Sequence, residues 1–261
     1  RSGTTLLQSV LCADSTTNPL LHEASYLRNV LDAYEVGKNK FEEHGRYYFD
    51  SVDDLREFTA DWARAFVARV RHRYPQAATV VLKYPPLTPR FPVLAELLPE
   101  ARFVVVVRDP RDVAVSLVAV GERLRAGGDP EGQTLPRDMT RLGSLYMQCY
   151  APVFSCPDPE FRARLTVVRY EDLVTRPDVV VQGLREATGL ALDQFQPTGD
   201  WQNNRIDIGD LRVSRNAWVS DLWGRPVSDG RVGQFRNLLS AAEIATLEQI
   251  CRPAMESFQY R

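Results

Sequence analysis

Arg102-Phe-Val-Val-Val-Val-Arg108-Asp109-Pro110-Arg111-Asp112-Val-Ala-Val-Ser116-Leu117 is an apolar run that ends in a charged turn and reopens as a helix. Four successive valines suit a strand buried on both faces of a parallel sheet, and ligands of such sheets bind where strands hand over to helices. Arg108 lies at that edge. Ser116, one or two turns into the helix, can share an anion with it, because a guanidinium and a hydroxyl together satisfy phosphate oxygens. The same turn also reads as a solvated network of Arg108, Asp109, Arg111 and Asp112.

A second anion signal stands at the other end of the sequence. Arg1-Ser2-Gly3-Thr4-Thr5 runs straight into Leu6-Leu7-Gln8-Ser9-Val10-Leu11. Gly3 lets the backbone approach an anion, and the first-turn N–H groups of a helix have no intrahelical partner. Ser2, Thr4 and Thr5 add hydroxyls, and Arg1 adds a forked cation. Alone, this string is also an ordinary turn and N-cap.

Between and beyond these segments the chain alternates short units without an internal repeat or long linker. Thr4 to about Ala13 is the expected first helix, followed by a polar, irregular stretch through Tyr48. Ser51-Val52-Asp53-Asp54 resembles a capping box before a long amphipathic helix, with Leu55, Phe58, Trp62, Phe66 and Val70 expected in the core. Thr79 to Tyr84 reads as a buried strand stopped by Pro85-Pro86, and Phe91 to Leu98 as a short helix. After the valine strand and its helix come a Gly127–Pro130 loop, a helix over 138–154, a strand over Leu165–Arg169, and a helix from Pro177 to Gly189. A polar segment from Phe195 to Val227 reads as a long active-site loop, and Ser240 caps a final helix. Strands alternating with helices imply a parallel sheet covered on both faces.

Composition bounds the function. The 261 residues are 44% hydrophobic and 25% charged, enough for a sizeable core. A net charge of −2 gives no general pull toward nucleic acid or acidic membranes. Cys12, Cys149, Cys156 and Cys251 show no metal spacing and read as reduced thiols, which favours a reducing compartment and a cytoplasmic location. No run of about 18 apolar residues occurs, so nothing in the sequence itself is expected to span a membrane, and an anchor upstream stays compatible with it.

The two anion segments together resemble the sulfotransferase family, whose members move a sulfuryl group from 3′-phosphoadenosine-5′-phosphosulfate (PAPS) to an acceptor hydroxyl or amine. The family's first phosphate loop is a basic residue followed by S-G-T-T or S-G-T; its second is R-D-P-R-D with a serine shortly after. Both occur here in order. A family strand ending R-Y-E-D-L appears as Val167-Val168-Arg169-Tyr170-Glu171-Asp172-Leu173. A loop of the shape G-x-x-G-x-(aromatic)-(K/R)-N appears as Gly230-Arg231-Val232-Gly233-Gln234-Phe235-Arg236-Asn237. The resemblance spans nearly the whole chain. It implies an α/β, single-domain, P-loop-like three-layer fold over residues 1–261, with a central, mostly parallel sheet flanked by helices and its first strand expected upstream of Arg1. It is nearer to the branch with R-S-G-T-T and a glutamate base than to the cytosolic branch with a histidine base.

The resemblance also distributes roles. Arg1 and the N–H groups of Gly3, Thr4 and Thr5, with the Ser2 hydroxyl beside them, would hold the 5′-phosphosulfate, and Arg108 and Ser116 the 3′-phosphate. Arg231, Gly233 and Arg236 would close over that phosphate, although Ser228-Asp229 stands where cytosolic members carry an Arg-Lys pair. Tyr170 occupies a position that often contacts adenine, and it also reads as a core tyrosine at a strand end. Glu23 is the expected base, at about the distance from the first loop at which glutamate-base relatives carry theirs. His22, His44 and His72 are alternatives, and Glu23 also reads as a helix-start carboxylate. Lys83, in Leu82-Lys83-Tyr84-Pro85, matches a family lysine that reaches the leaving oxygen, or else snorkels to solvent. Catalysis by Glu23, Lys83 and Arg1 in a single in-line displacement, with adenosine 3′,5′-bisphosphate (PAP) leaving and no metal required, is the expected mechanism.

A nucleotide kinase or P-loop NTPase is a rival, but the string G-x-x-x-x-G-K-[ST] is absent from the sequence. A non-catalytic nucleotide-binding protein of the same fold is another. The acceptor, whether small molecule, carbohydrate or peptide, is not encoded in any readable motif, and Trp201, Trp218 and Trp223 suit either stacking on it or packing under a loop. The oligomeric state is likewise open.

Overall fold

The computed structural model describes residues 2–192, 194–197, 218 and 225–261. Its sheet pairs β1 (Phe103–Val107) in parallel with β2 (Leu165–Arg169), with Val105 opposite Val167 and Val107 opposite Arg169. Alternation along β1 decides the layers. Phe103, Val105 and Val107 enter one apolar cluster with Leu31, Leu97 and Phe161, while Val104 and Val106 face another with Leu7, Val10, Leu173 and Leu184. A strand buried on both sides is the middle of a three-layer arrangement.

The first cluster is covered by α2 (Ser25–Asn39), α3 (Val52–Arg73), α4 (Phe91–Leu97), α6 (Met139–Phe154), the short α7 (Pro159–Ala163) and α11 (Ala241–Ser257). The second is covered by α1 (Thr4–Leu11), α8 (Tyr170–Thr175) and α9 (Pro177–Thr188). Helix α5 (Pro110–Ala126) leaves the end of β1 and packs with α6, α11 and the short α10 (Phe235–Leu238) around Val118, Leu142, Phe235 and Leu247. No helix among the described residues is long and apolar enough to cross a membrane.

Three expectations need correction. The stretch after α1 is not irregular through Tyr48, because Leu27, Val30, Leu31 and Tyr34 form a buried stripe on α2. Thr79 to Tyr84 is not a strand. Thr79 makes an isolated parallel bridge to Thr17, and the Asn18 amide then takes the place of a partner strand, accepting from the Val81 N–H at 2.7 Å and donating to the Val81 carbonyl at 3.0 Å. On α3 the core stripe is Leu55, Thr59, Ala60, Ala63 and Val70, while Phe58 and Trp62 are 51% and 53% exposed, tilted against each other at 6.2 Å. Small side chains face the neighbouring helix there, and the aromatics flank the contact.

The two caps read from sequence form as expected. The Ser51 hydroxyl accepts from the Asp54 N–H at the start of α3. At α11, Ser240 and Glu243 close a reciprocal box, and Arg137 Nε meets Glu243 Oε1 at 2.8 Å. The Arg137 hydrogen bond, helped by the Ser240 N–H, lowers the Glu243 pKa to about 2. A depressed carboxylate contributes stability above its unfolded pKa and loses it as pH falls toward the folded one. Glu243→Ala is therefore expected to cost about 1 kcal/mol at neutral pH in urea melts. The gap from the parent should narrow as pH falls from about 5 to about 2; a pH-independent gap would show that the charge is irrelevant.

Candidate active site

Gly3 caps α1 in the left-handed region at φ 84°, and no side chain caps the first turn of that helix. A Cβ on Gly3 would lie 2.6 Å from Cδ2 of Tyr170, so the turn runs directly against that ring. The first-turn N–H groups at Thr4 and Thr5, both partly buried, stand at the positive end of the α1 dipole. The Ser2 hydroxyl turns inward to the Tyr150 hydroxyl at 2.8 Å and Ser2 is only 3% exposed, which points this side chain at α6. Arg1 lies outside the described residues.

The second anion segment reaches the same ring. Tyr170 follows the last residue of β2, and the Arg108 guanidinium sits 4.6 Å from its ring centroid. Arg108 also approaches the Asp112 carboxylate at 3.7 Å and donates to the carbonyl of Arg231. Burial raises the Tyr170 pKa, keeping its hydroxyl protonated, although Arg108 pulls the other way. Two sequence segments a hundred residues apart, Gly3 and Arg108, thus touch one side chain supplied by a third, the Arg169–Leu173 motif.

The charged turn divides its labour and is buried, not solvated. Arg111 closes on Asp109 at 2.7 Å, on Glu248 at 2.6 Å and on the Arg261 carbonyl at 2.6 Å. Burial opposes its charge, but those hydrogen bonds raise its pKa and hold the charge in place. Asp109 is tied through its N–H to Glu171 at 3.0 Å, and Glu171 accepts from the Tyr260 hydroxyl at 2.7 Å. Asp112, 1% exposed, accepts from the N–H of Gly233 at 2.7 Å and of Phe235 at 3.0 Å. The C-terminal glycine loop is therefore fastened to the first turns of α5, with Arg231 beside Arg108. Arg236 is exposed, its guanidinium 4.8 Å from the Phe235 ring centroid, and Ser116 is partly buried on α5.

Glu23 and Lys83, sixty residues apart, form an ion pair at 2.8 Å, with the lysine side chain 18% and the glutamate 44% exposed. The Ala24 N–H donates to the Lys83 carbonyl at 3.0 Å, and the Gln8 amide donates to the Leu21 carbonyl at 3.1 Å. Gln8 sits on α1, so the pair is tied back to the helix that the Gly3 turn opens. A carboxylate able to accept a proton thus stands beside a cation on the α1 side of the molecule. His22 is exposed next to Glu23, His44 is exposed and faces Glu43 at 3.8 Å, and His72 is exposed on α3. Among the described residues, no group of three or more His, Cys, Asp or Glu side chains could hold a metal ion.

Trp218 packs at the edge of the α5–α6–α10 cluster and donates to Glu131 at 3.2 Å, a packing role, while Trp201, Trp223 and most of the 195–227 segment lie outside the described residues. Sequence reading missed Tyr146, Tyr150, Asp112, Glu171 and Tyr260 as supports of the site. The available signal was chemical: two tyrosines on an apolar helix face must find partners for their hydroxyls when buried.

Comparisons with known proteins bear on the family and the fold. A family model described as the sulfotransferase family matches residues 1–194. Two curated relatives, from Mycobacterium bovis and Mycobacterium tuberculosis, each named omega-hydroxy-beta-dihydromenaquinone-9 sulfotransferase, are 27% identical over 192 residues, covering 70% of this chain and 48% of theirs. The chain spans about half the length of the curated relatives it matches. The solved sulfotransferase domain from the curacin biosynthetic pathway shares the fold, with a TM-score of 0.56 at 16% identity over 97% of this chain and 93% of that domain.

Proposed function

Because the chain belongs to the sulfotransferase family, we propose that it transfers a sulfuryl group from PAPS to a hydroxyl, or an amine, of a small-molecule acceptor by in-line displacement. The observation that carries this reading is the meeting of the Gly3 turn and Arg108 on Tyr170. A donor with anionic groups on both the 3′ and 5′ oxygens of its ribose needs two anion sites at a fixed spacing, and a ring shared by the two loops sets such a spacing.

In this reading Arg1 and the N–H groups at Gly3, Thr4 and Thr5 bind the 5′-phosphosulfate, with Ser2 holding the turn. Arg108 and Ser116 bind the 3′-phosphate, and Arg231, Gly233 and Arg236 close over it. Tyr170, whose ring packs against Gly3 and Arg108, spaces the two loops and contacts the adenine. PAPS supplies the sulfuryl group and leaves as PAP. Glu23 takes the acceptor proton, while Lys83 and Arg1 stabilise negative charge on the departing oxygen. The Glu23–Lys83 pair supports the glutamate-base branch over the histidine-base one. The mycobacterial relatives act, by name, on an omega-hydroxy menaquinone derivative, which supports a small-molecule alcohol over a carbohydrate or peptidyl acceptor.

Differential scanning fluorimetry tests the donor. PAP at 100 times its Kd should stabilise the protein by about 2.7 kcal/mol, raising Tm by several degrees, and ATP at the same concentration by far less. Transfer of labelled sulfate from PAPS to a panel of alcohols, sugars and tyrosyl peptides then identifies the acceptor class. Equal stabilisation by ATP would favour a nucleotide kinase, and PAP binding without transfer to any acceptor would favour a non-catalytic binder.

A further inference from the structure

We propose that Tyr150 is a positioning residue that locks the first anion loop to the strand feeding the second, with Tyr146 completing the lock one turn earlier on α6. The inference rests on the PAPS reading above and adds to it residues that touch neither donor nor acceptor.

The hydrogen bonds run in one direction only. The Tyr150 hydroxyl lies 3.1 Å from the Val106 carbonyl and 2.8 Å from Ser2 Oγ. A carbonyl can only accept, so the single Tyr150 hydrogen goes to Val106, and Ser2 must donate to the Tyr150 oxygen. The chain is Ser2 to Tyr150 to Val106. It fastens the residue before the Gly3 turn to a residue two positions before Arg108. Tyr146 donates to the carbonyl of Arg108 itself at 2.9 Å. Both loops are thus held by hydroxyls on successive turns of one helix.

The surroundings suit a rigid strut. The two tyrosine rings are 4.7 Å apart, and Phe258 of the C-terminal segment meets Tyr150 edge-on at 5.9 Å. Both tyrosines are buried, and burial pushes their hydroxyls well above the usual tyrosine range, so both remain protonated donors. Phenylalanine would fill the same space without the cost of burying a hydroxyl. What the hydroxyl adds is the tie between loops. It also fixes the Ser2 hydrogen toward α6, so Ser2 serves the anion site by holding the turn and not by donating its hydroxyl to phosphate.

The test is a double-mutant cycle on PAP affinity. Tyr150→Phe and Ser2→Ala are each expected to weaken PAP binding about fivefold in calorimetry. The double variant should be no weaker than the worse single one, because both remove the same tie. In Tyr150→Phe the KM for PAPS should rise while kcat at saturating PAPS and the KM for acceptor stay at parental values, a split that general loss of stability would not produce. Tyr150→Phe within twofold of the parent, or effects that multiply in the double variant, overturns the proposal. If the parent itself does not bind PAP, the donor reading falls, and hydrogen exchange of the unliganded protein decides the strut. Faster exchange in both α1 and β1 of Tyr150→Phe, with α9 unchanged, supports it; unchanged exchange overturns it.

Discussion

Glu23→Gln is expected to lower kcat by about 10²- to 10⁴-fold, the usual worth of a positioned general base, while leaving PAP affinity at the parental level. Glutamine keeps the size of the side chain and can still accept a hydrogen bond from Lys83, whose ammonium meets Glu23 at 2.8 Å. It cannot take a proton from an attacking hydroxyl. The substitution therefore separates the proton-accepting role from the structural one. Initial rates with labelled PAPS at saturating donor and acceptor decide the matter; a kcat within threefold of the parent removes Glu23 from the mechanism and returns attention to His22.

Arg108→Ala should raise the Kd for PAP by about 10- to 100-fold, corresponding to the loss of a charge-assisted hydrogen bond in a buried site. The loss should be selective. Adenosine 5′-phosphosulfate, which lacks the 3′-phosphate, should bind the variant and the parent alike, so the preference for the bisphosphate collapses. The guanidinium is buried over Tyr170 and beside Asp112, and its removal leaves a 1% exposed carboxylate with less compensation. Thermal melts of the unliganded variant must therefore accompany the calorimetry. Parental affinity for PAP, or an equal loss for both nucleotides, would show that Arg108 does not read the 3′-phosphate.

Local chemistry explains what was readable before the structure. The valine run, the charged turn after it and the serine box of α11 are encoded by neighbours in sequence, and all three form where expected. Thr79 to Tyr84 misled because β-propensity measures fit to a pleated surface, and here the extended backbone is bonded by the Asn18 side chain, a distant contact without a local signature. Helix α2 reads as irregular in the sequence because Arg28, Asn29 and Asp32 dilute its buried stripe of Leu27, Val30, Leu31 and Tyr34. Phe58 and Trp62 are large and spaced for the core, whereas Ala60 and Ala63 occupy the helix contact. At the candidate site, the two proposed anion motifs and the Glu23 and Lys83 candidates each stand out in the sequence one by one. Their meeting through Tyr170, the buried Asp112 fastening and the α6 hydroxyls depend on tertiary structure. The readings of Arg1, Trp201 and Trp223 rest on residues outside those described.

Divergence is closed at a single point of the first loop. Gly3 holds φ 84° with the Tyr170 ring 2.6 Å from where a first side-chain carbon would stand, so every residue bearing a Cβ meets a dihedral penalty and a collision together. Relief of one leaves the other. Descendants of this chain can exchange the loop's hydroxyls and cations while its path over the ring stays frozen, and a saturation library at this codon would retain one amino acid.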